Sequence, residues 1–316
     1  MDANGLWNYG EVRVLSFEKI LITLLLLFVG LSTGHAQKLG TNYKAEVDEF
    51  RLTRTKTLTA PDGWLSLVGL EWLSGGSNSV GSAADNTVHL PVGTPLHLAI
   101  ISQQGNGPDA RLSISAPAQG FPLGLKIDGK EAVAGALPRN AKLTSGSFTI
   151  LILSRGERLG LRVKDENAAT RTNFHGLNWY PVRQSYRIKA RWIPYSVPHA
   201  VRIPTIIGTT LEEKVPGAAE FEIEGKQLRL EPIVEGDKLF FILRDRTSQT
   251  STYQAARFLY TSLPSAGLSK PGEVVLDFNE LVNPPCAYTA YATCPLPPPQ
   301  NKLDVAIAAG EKRYHN

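Results

Sequence analysis

The chain has 316 residues, of which 42% are hydrophobic and 20% are charged, and its formal net charge is +4. This is the composition of a globular protein, and the length predicts about two domains. The net charge is small for this length, and no run of lysine and arginine is interleaved with aromatic residues, so nucleic-acid binding is not expected.

The N-terminal part of the sequence predicts a signal peptide. Residues 20–30 (ILITLLLLFVG) form a strongly apolar run that is shorter than the roughly 20 residues a membrane span needs. Lys19 precedes it, and Gly34-His35-Ala36 offers small residues where signal peptidase reads them. We predict a signal peptide over residues 1–36, a periplasmic or extracellular mature protein beginning at Gln37, and no transmembrane segment in that mature chain. The alternative is an uncleaved N-terminal anchor.

The next segment, residues 37–60, predicts one amphipathic helix. Residues 43–58 carry Val47, Phe50 and Leu52 among charged side chains, and Asn42 is the candidate N-cap. Residues 60–63 (APDG) should end the helix.

Residues 61–165 predict an antiparallel β-sandwich. Short apolar runs such as residues 96–102, 111–115 and 147–153 alternate with turn signals such as Asp128-Gly129, at intervals of about a dozen residues.

Residues 166–316 predict a second antiparallel β domain. Residues 186–193, 201–207, 219–223, 227–232, 238–244, 257–260 and 273–278 have strand character, and residues 224–226 and 235–237 form hairpin turns. Residues 301–309 (NKLDVAIAA) have apolar side chains at helical spacing, so we expect a short C-terminal helix that stops at Gly310. The mainly β fold therefore carries one helix at each end.

A proline-rich stretch near the C-terminus predicts a functional loop. It runs from Asn283-Pro284-Pro285-Cys286 to Cys294-Pro295 and holds both cysteines. Proline fixes φ and removes a backbone donor, which excludes a helix or a central strand, and long loops often carry binding sites. In an exported chain two neighbouring cysteines favour a disulfide between Cys286 and Cys294.

Polar residues at the ends of the second domain's strands predict a ligand pocket. If those strands are neighbours, the polar groups meet at one rim of the sheet under the cysteine loop, as a site for a small polar or anionic ligand. These residues are Asp245, Thr247, Thr252, Tyr253, Arg257, Asp277, Asn279 and Asn283. The alternative is a buried ion-pair network of Asp245, Arg257 and Asp277 that locks the loop in place.

Catalytic and metal-binding roles find weaker support. Asp245 or Asp277 could act as the general base of a hydrolase, and Cys286 could act as a nucleophile if His175 served as its base. Cys286, Cys294 and His175 with a carboxylate have metal-binding chemistry, but the cysteine spacing does not match a metal motif. We therefore predict no metal and no cofactor. His199 follows a proline and is predicted to lie in a loop.

The C-terminal motifs resemble the bacterial and archaeal family called domain of unknown function 1684. The motifs that carry the resemblance are residues 241–247, 252–259, 276–279, 283–289, 292–295 and 309–312. Residues 64–73 look like the N-terminal signature of the same family. This resemblance implies no activity, since the family has no established function.

The first domain has a fainter likeness, to the opening of a forkhead-associated β-sandwich. Residues 75–82 and 86–91 carry it, but the Ser-Arg-x-x-His motif that binds phosphothreonine in that fold is missing. The likeness therefore implies a fold without its function. The sequence as a whole predicts an exported protein with a small-ligand-binding or scaffold role; the alternative is a hydrolase acting on an exported or cell-envelope substrate.

Overall fold

The computed structural model of the protein describes residues 34–314. The apolar run at residues 20–30, on which the predicted signal peptide depends, lies outside them. Within residues 34–314, no helix is long and apolar enough to cross a membrane.

The N-terminal helix α1 spans Gly34–Thr59. It begins before the predicted start near Asn42 and runs across the predicted cleavage position, whereas its end at residues 60–63 is confirmed. Val47 and Leu58 are fully buried, and Phe50 packs edge-on against Trp179 with ring centroids 6.4 Å apart. The buried side of the helix therefore faces the C-terminal half of the chain.

Eleven strands between residues 67 and 165 form two facing sheets around one core. One sheet has the order β1-β11-β10-β9-β6-β7 and the other the order β3-β2-β4-β5-β8. The strands are β1 Leu67–Trp72, β2 Gly76–Gly81, β3 Val88–His89, β4 Ala99–Gln104, β5 Arg111–Ser115, β6 Lys126–Ile127, β7 Lys130–Glu131, β8 Gly135–Leu137, β9 Lys142–Ser145, β10 Phe148–Arg155 and β11 Arg158–Asp165. Inward side chains such as Ile101, Leu143 and Leu161 are fully buried between the sheets. A β-rich first unit, as predicted, is confirmed; its likeness to a forkhead-associated domain stays a prediction.

A short helix, α2 (Ala169–Thr172), leads into a second group of strands that also forms two sheets. Their orders are β14-β13-β12-β18 and β15-β16-β17. The strands are β12 Arg187–Pro204, β13 Thr210–Ile223, β14 Lys226–Leu230, β15 Ile233–Glu235, β16 Lys238–Leu243, β17 Arg257–Ser262 and β18 Gly272–Asp277. All their pairings are antiparallel, as the sequence predicts.

The hairpin of β12 and β13 is much longer than the short strands predicted for this region. Its register shifts between Pro194 and His199, and a bulge of this kind lets a strand bend. Trp192, before the shift, packs in the core that contains Phe241. Ile203, after the shift, packs in another core with Phe240. The bent hairpin thus covers both faces of β16, which explains why β16 is buried on both sides.

The helix predicted over residues 301–309 does not form. Only a turn of 3-10 helix, Pro299–Asn301, is present, and the chain then runs extended, with residues 303, 305, 307 and 309 buried and 302, 304 and 306 exposed. Backbone bonds tie this tail to the end of β16, from Leu303 N to Arg244 O at 2.7 Å and from Arg246 N to Val305 O at 2.8 Å. The side chains alternate with a period of two, which is the period of a strand.

The two groups of strands meet at the cysteine loop. The Thr289 hydroxyl donates to Leu67 O at 3.0 Å, and Arg155 Nε donates to Thr293 Oγ1 at 3.0 Å. On its other side the loop pairs with the tip of the long hairpin, through Ile206 N to Cys294 O at 2.9 Å. The loop therefore has a fixed position between the two units.

Candidate functional site

Asp245 and Arg257 form a buried ion pair. Arg257 Nη1 lies 2.7 Å from Asp245 Oδ2, and both side chains are almost fully buried. Asp245 Oδ1 accepts from the backbone N and the hydroxyl of Thr247 at 2.8 and 2.5 Å and from Ile307 N at 3.3 Å. The predicted direct contact between Arg257 and a carboxylate is confirmed.

The same guanidinium holds the C-terminal tail. Arg257 Nη1 donates to Ile307 O at 3.0 Å, and Nη2 donates to Ala309 O. Thr252 completes the group through its hydroxyl contact with Thr247 at 2.8 Å. Every contact is internal, so Asp245 and Arg257 form part of the buried ion-pair network that the sequence offered as an alternative to a pocket; Asp277, its third predicted member, pairs elsewhere.

Asp277 and Asn279 belong to a second polar cluster, formed with the N-terminal helix. The Tyr43 hydroxyl lies 2.9 Å from both carboxylate oxygens of Asp277, and Arg187 Nη1 lies 3.2 Å from Oδ2. Asn279 Nδ2 donates to the Tyr43 hydroxyl at 2.8 Å. Burial, followed by the negative charge of Asp277, raises the pKa of Tyr43. Burial and Asp277 also raise the pKa of Glu280 to about 7.

Asn283 lies in a third cluster, around the fully buried Glu311. Asn283 Nδ2 donates to Glu311 Oε1 at 2.8 Å, and the Tyr288 hydroxyl donates to the same oxygen. Arg54 of α1 lies 3.5 Å from Glu311 Oε2 and donates to Asn283 O at 2.8 Å. Burial raises the pKa of Glu311, against the opposing charge of Arg54. Sequence reasoning missed Glu311 because its partners lie far from it in sequence.

The structure thus divides the predicted ligand residues among three internal clusters, with Tyr253 at the cysteine loop. Asp245, Arg257, Asp277, Asn279 and Asn283 are all buried. Their polar atoms are largely engaged by internal partners, so a ligand would have to displace existing hydrogen bonds to reach them. For the same reason the geometry does not favour Asp245 or Asp277 as the general base of a hydrolase.

The two cysteines are neighbours, but the predicted disulfide is not formed. Both are free thiols; Cys294 is buried and Cys286 is half-buried. Cys286 N donates to Cys294 Sγ at 3.1 Å, and the Tyr253 hydroxyl donates to Cys286 O at 2.9 Å. The loop is held by hydrogen bonds and packing, which leaves the thiols unbonded.

The surroundings give the two thiols different acidities. A hydrogen bond from the Cys294 thiol is the main cause that lowers the pKa of Cys286, with a further contribution from Tyr253. Burial raises the pKa of Cys294. Cys286 is therefore the more acidic and the more accessible of the pair. His175, its predicted base, is exposed. Across residues 34–314 no group of three or more His, Cys, Asp or Glu side chains is placed to hold a metal ion.

A cleft in the second unit lies apart from the predicted pocket. It has about 220 Å³ of empty space, part of it open to solvent, between the far half of the long hairpin and β16. Its walls are mostly apolar, with Glu231, Gln300 and Asn301 as polar members; the others are Val201, Ile203, Val215, Ile233, Phe240, Ile242 and Pro298.

Glu231 is the centre of a hydrogen-bond network at this cleft. Its side chain is 10% exposed and lies 3.5 Å from His199 Nε2, while Gln300 Nε2 donates to it at 2.8 Å. The Tyr195 hydroxyl donates to Glu231 and accepts from Arg229. The pKa of Tyr195 is raised by burial and by its bond to Glu231.

The strand bulge explains why His199 and Tyr195 reach Glu231, although neither lines the cleft itself. The predicted loop position of His199 is wrong, because His199 lies within β12 and pairs with Val215 directly after the register shift. The rings of Tyr195 and His199 lie 4.7 Å apart. The sequence Pro198-His199 did not indicate that a strand continues through both residues, because proline usually interrupts a strand.

Comparison with known proteins identifies a family. Residues 172–312 match the family described as protein of unknown function DUF1684, which confirms the resemblance of the C-terminal motifs. The signature at residues 64–73 lies before the matched range. Among curated proteins no match is found.

One similar solved structure is the solution NMR structure of an uncharacterized protein from Haloarcula marismortui. It is 29% identical over 45% of this chain and 78% of that chain, with a TM-score of 0.38. Neither comparison names an activity, so function has to be argued from the geometry.

Proposed function

Residues 172–312 match the DUF1684 family, and from this premise we propose that the protein binds a small ligand at the cleft beside Glu231. We propose that its buried polar clusters have a structural role only. The observation that carries the proposal is the contrast between two sets of polar groups. Asp245, Arg257 and Asp277 are buried and bonded internally. By contrast, the side chains of His199 and Arg229 at the cleft are 46% and 45% exposed.

The apolar wall of the cleft and the donors at its edge indicate which class of ligand it could bind. Its apolar wall suits a short branched or straight carbon chain. The exposed groups at its edge, the His199 imidazole, the Arg229 guanidinium and the Gln300 amide, include N–H donors, and these suit a hydrogen-bond acceptor such as a carboxylate. Much of the 220 Å³ is open solvent, and the enclosed part holds about one water molecule. The ligand therefore lies at the mouth of the cleft, with at most the end of a small apolar group inside it.

The binding proposal is tested with isovalerate, which has an isopropyl group and a carboxylate. We expect saturation-transfer NMR to detect binding with a dissociation constant of about 1 mM, equivalent to about −4 kcal/mol. His199→Ala should weaken binding several-fold, because it removes an exposed donor at the edge of the cleft.

The matched control is His97→Ala. His97 is also a partly exposed histidine near a single carboxylate, with Nδ1 3.8 Å from Asp85, but it lies in the first unit. It should leave isovalerate binding unchanged. Equal effects of the two substitutions, or no saturation transfer to isovalerate in the unaltered protein, would reject the cleft as a ligand site.

We also propose that the protein is exported. The support is the apolar run at residues 20–30 and the small residues before Gln37. Protein recovered from the periplasm or the medium of an expressing Gram-negative host should begin at Gln37 on N-terminal sequencing. A product that stays in the cytoplasm, or that keeps residues 20–30, would contradict cleavage and export.

A further inference from the structure

Cys286 and Cys294 are neighbours of unequal exposure, with the more exposed residue in contact with the buried one. Cys286 is half-buried, whereas Cys294 is fully buried against it. The Cys286 N–H points at Cys294 Sγ from 3.1 Å. Ile206 N bonds to Cys294 O, so the segment that carries the inner thiol is fixed in place.

The positive charge of a half-buried arginine, Arg162, acts on the inner thiol. Arg162 projects from β11, with its guanidinium carbon 5.2 Å from the centre of the Trp64 ring. Its Nε and Nη2 are buried and have no hydrogen-bond partner. Its charge favours the thiolate of Cys294. Burial lowers the pKa of Arg162 to about 10, so the guanidinium remains charged at neutral pH. Buried donors are normally paired, and these two are left without a partner.

We propose that Cys286 and Cys294 form an oxidisable dithiol that reacts with disulfides by thiol–disulfide exchange, with Cys286 as the attacking thiol and Cys294 as the resolving thiol. This site is separate from the proposed ligand cleft and does not depend on it. The exposure of Cys286 lets a disulfide reach it, and the position of Cys294 against it lets the second thiol complete the reaction.

The reaction has two balanced steps. The Cys286 thiolate attacks one sulfur of a disulfide RSSR, the S–S bond breaks, and one RS⁻ leaves as Cys286–S–S–R forms. The Cys294 thiolate then attacks Cys286 Sγ and releases the second RS⁻. The two protein thiols lose two protons and two electrons, and the disulfide is reduced to two thiols. The second step requires the Cys286 sulfur to move to Cys294 Sγ, which already lies 3.1 Å from the Cys286 backbone N.

Electrostatics favours this reaction over capture of a soft metal cation by the two sulfurs. The charge of Arg162 acts on Cys294, and Arg155 is held nearby through Thr293, the residue before Cys294. Two positive charges oppose the approach of a cation but stabilise a thiolate. Arg162 therefore acts as a positioning residue, because its charge helps the inner thiol to ionise when the mixed disulfide forms.

The first experiment treats the reduced, folded chain with glutathione disulfide. Intact-mass analysis should show the loss of two hydrogen atoms, with two glutathione molecules released. Cys294→Ala should stop the reaction at a glutathione adduct on Cys286, and Cys286→Ala should leave the buried Cys294 unmodified. If folded Cys294→Ala protein forms no adduct under conditions in which the urea-unfolded protein does, the proposal is overturned.

The second experiment tests Arg162 by the rate of ring closure. Arg162→Gln should raise the pKa of the resolving thiol by roughly one unit, which lowers its thiolate fraction about tenfold, while the more basic thiolate is about threefold more nucleophilic. Ring closure should therefore slow about threefold, and first adduct formation should change less. The control is Arg158→Gln, on the same strand and also over a tryptophan ring, Trp72, at 3.9 Å. Equal rates for the two variants would remove Arg162 from the proposal.

Discussion

Replacing Arg257 with methionine is expected to lower the free energy of unfolding by about 3–5 kcal/mol. Methionine keeps much of the volume and removes the charge, so Asp245 would remain buried without its counter-ion. The carbonyls of Ile307 and Ala309 would also lose their donors. The measurement is urea unfolding followed by tryptophan fluorescence, in which the midpoint should fall at an unchanged slope.

A nearby exposed ion pair is the control for burial. Arg246 Nη2 lies 2.6 Å from Asp304 Oδ1, but those side chains are 57% and 75% exposed. Arg246→Met should cost far less than Arg257→Met, because solvent screens an exposed pair. The double substitution Asp245→Asn with Arg257→Met should recover part of the loss, since no unpaired charge then stays buried. A loss of less than 1 kcal/mol for Arg257→Met alone would show that the buried pair does not hold the tail.

For each polar cluster, the sequence predicted some of the polar residues but not the partners that they contact. Asp245, Arg257 and Asp277 stand out because charged side chains follow apolar strands, and such groups are rarely buried unless they are paired. Their partners were harder to find. Tyr43 reaches Asp277 across 234 positions of the chain, and no local pattern reports a contact at that distance. The sequence therefore locates the polar residues but leaves open whether a ligand or the protein itself satisfies them.

The C-terminal tail shows how a short apolar segment is misread. Leu303, Val305 and Ile307 alternate with exposed residues and are buried in an extended chain. The same nine residues also place apolar side chains at helical spacing, because alanines at positions 306, 308 and 309 fit either period. Tertiary contacts decide the outcome, through backbone bonds from the tail to Arg244 and Arg246.

At the cysteine loop the predicted disulfide and the observed structure differ. Two nearby cysteines in a chain with an apparent leader favour a disulfide, and the structure does bring Cys286 and Cys294 together. It leaves them as free thiols, and the charge of Arg162 on β11 of the first unit acts on Cys294. Arg162 could not be linked to the loop from sequence, because the contact joins two separately formed sheets.

Replacing Gly310 with alanine is expected to destabilise the protein by about 2–5 kcal/mol, combining left-handed backbone strain with overpacking. Gly310 has a φ of +77°, and a Cβ there would lie 2.6 Å from both the Cβ and the carbonyl oxygen of Leu281. Backbone bonds on either side fix this approach, from Tyr180 N to Gly310 O at 2.9 Å and from Glu311 N to Leu281 O at 2.8 Å. Neither neighbour can move without breaking a bond that holds the tail.

Gly267→Ala separates the two causes of that loss. Gly267 has nearly the same φ, +79°, but nothing lies within 4 Å of the added Cβ, so only the backbone strain of about 1–2 kcal/mol should appear. The difference between the two alanine variants in urea unfolding then measures the steric part, expected at about 1–3 kcal/mol. Equal losses of unfolding free energy in the two variants would mean that the chain around Leu281 moves aside without a measurable cost. In that case the close approach of Gly310 to Leu281 would not be what holds the tail in place.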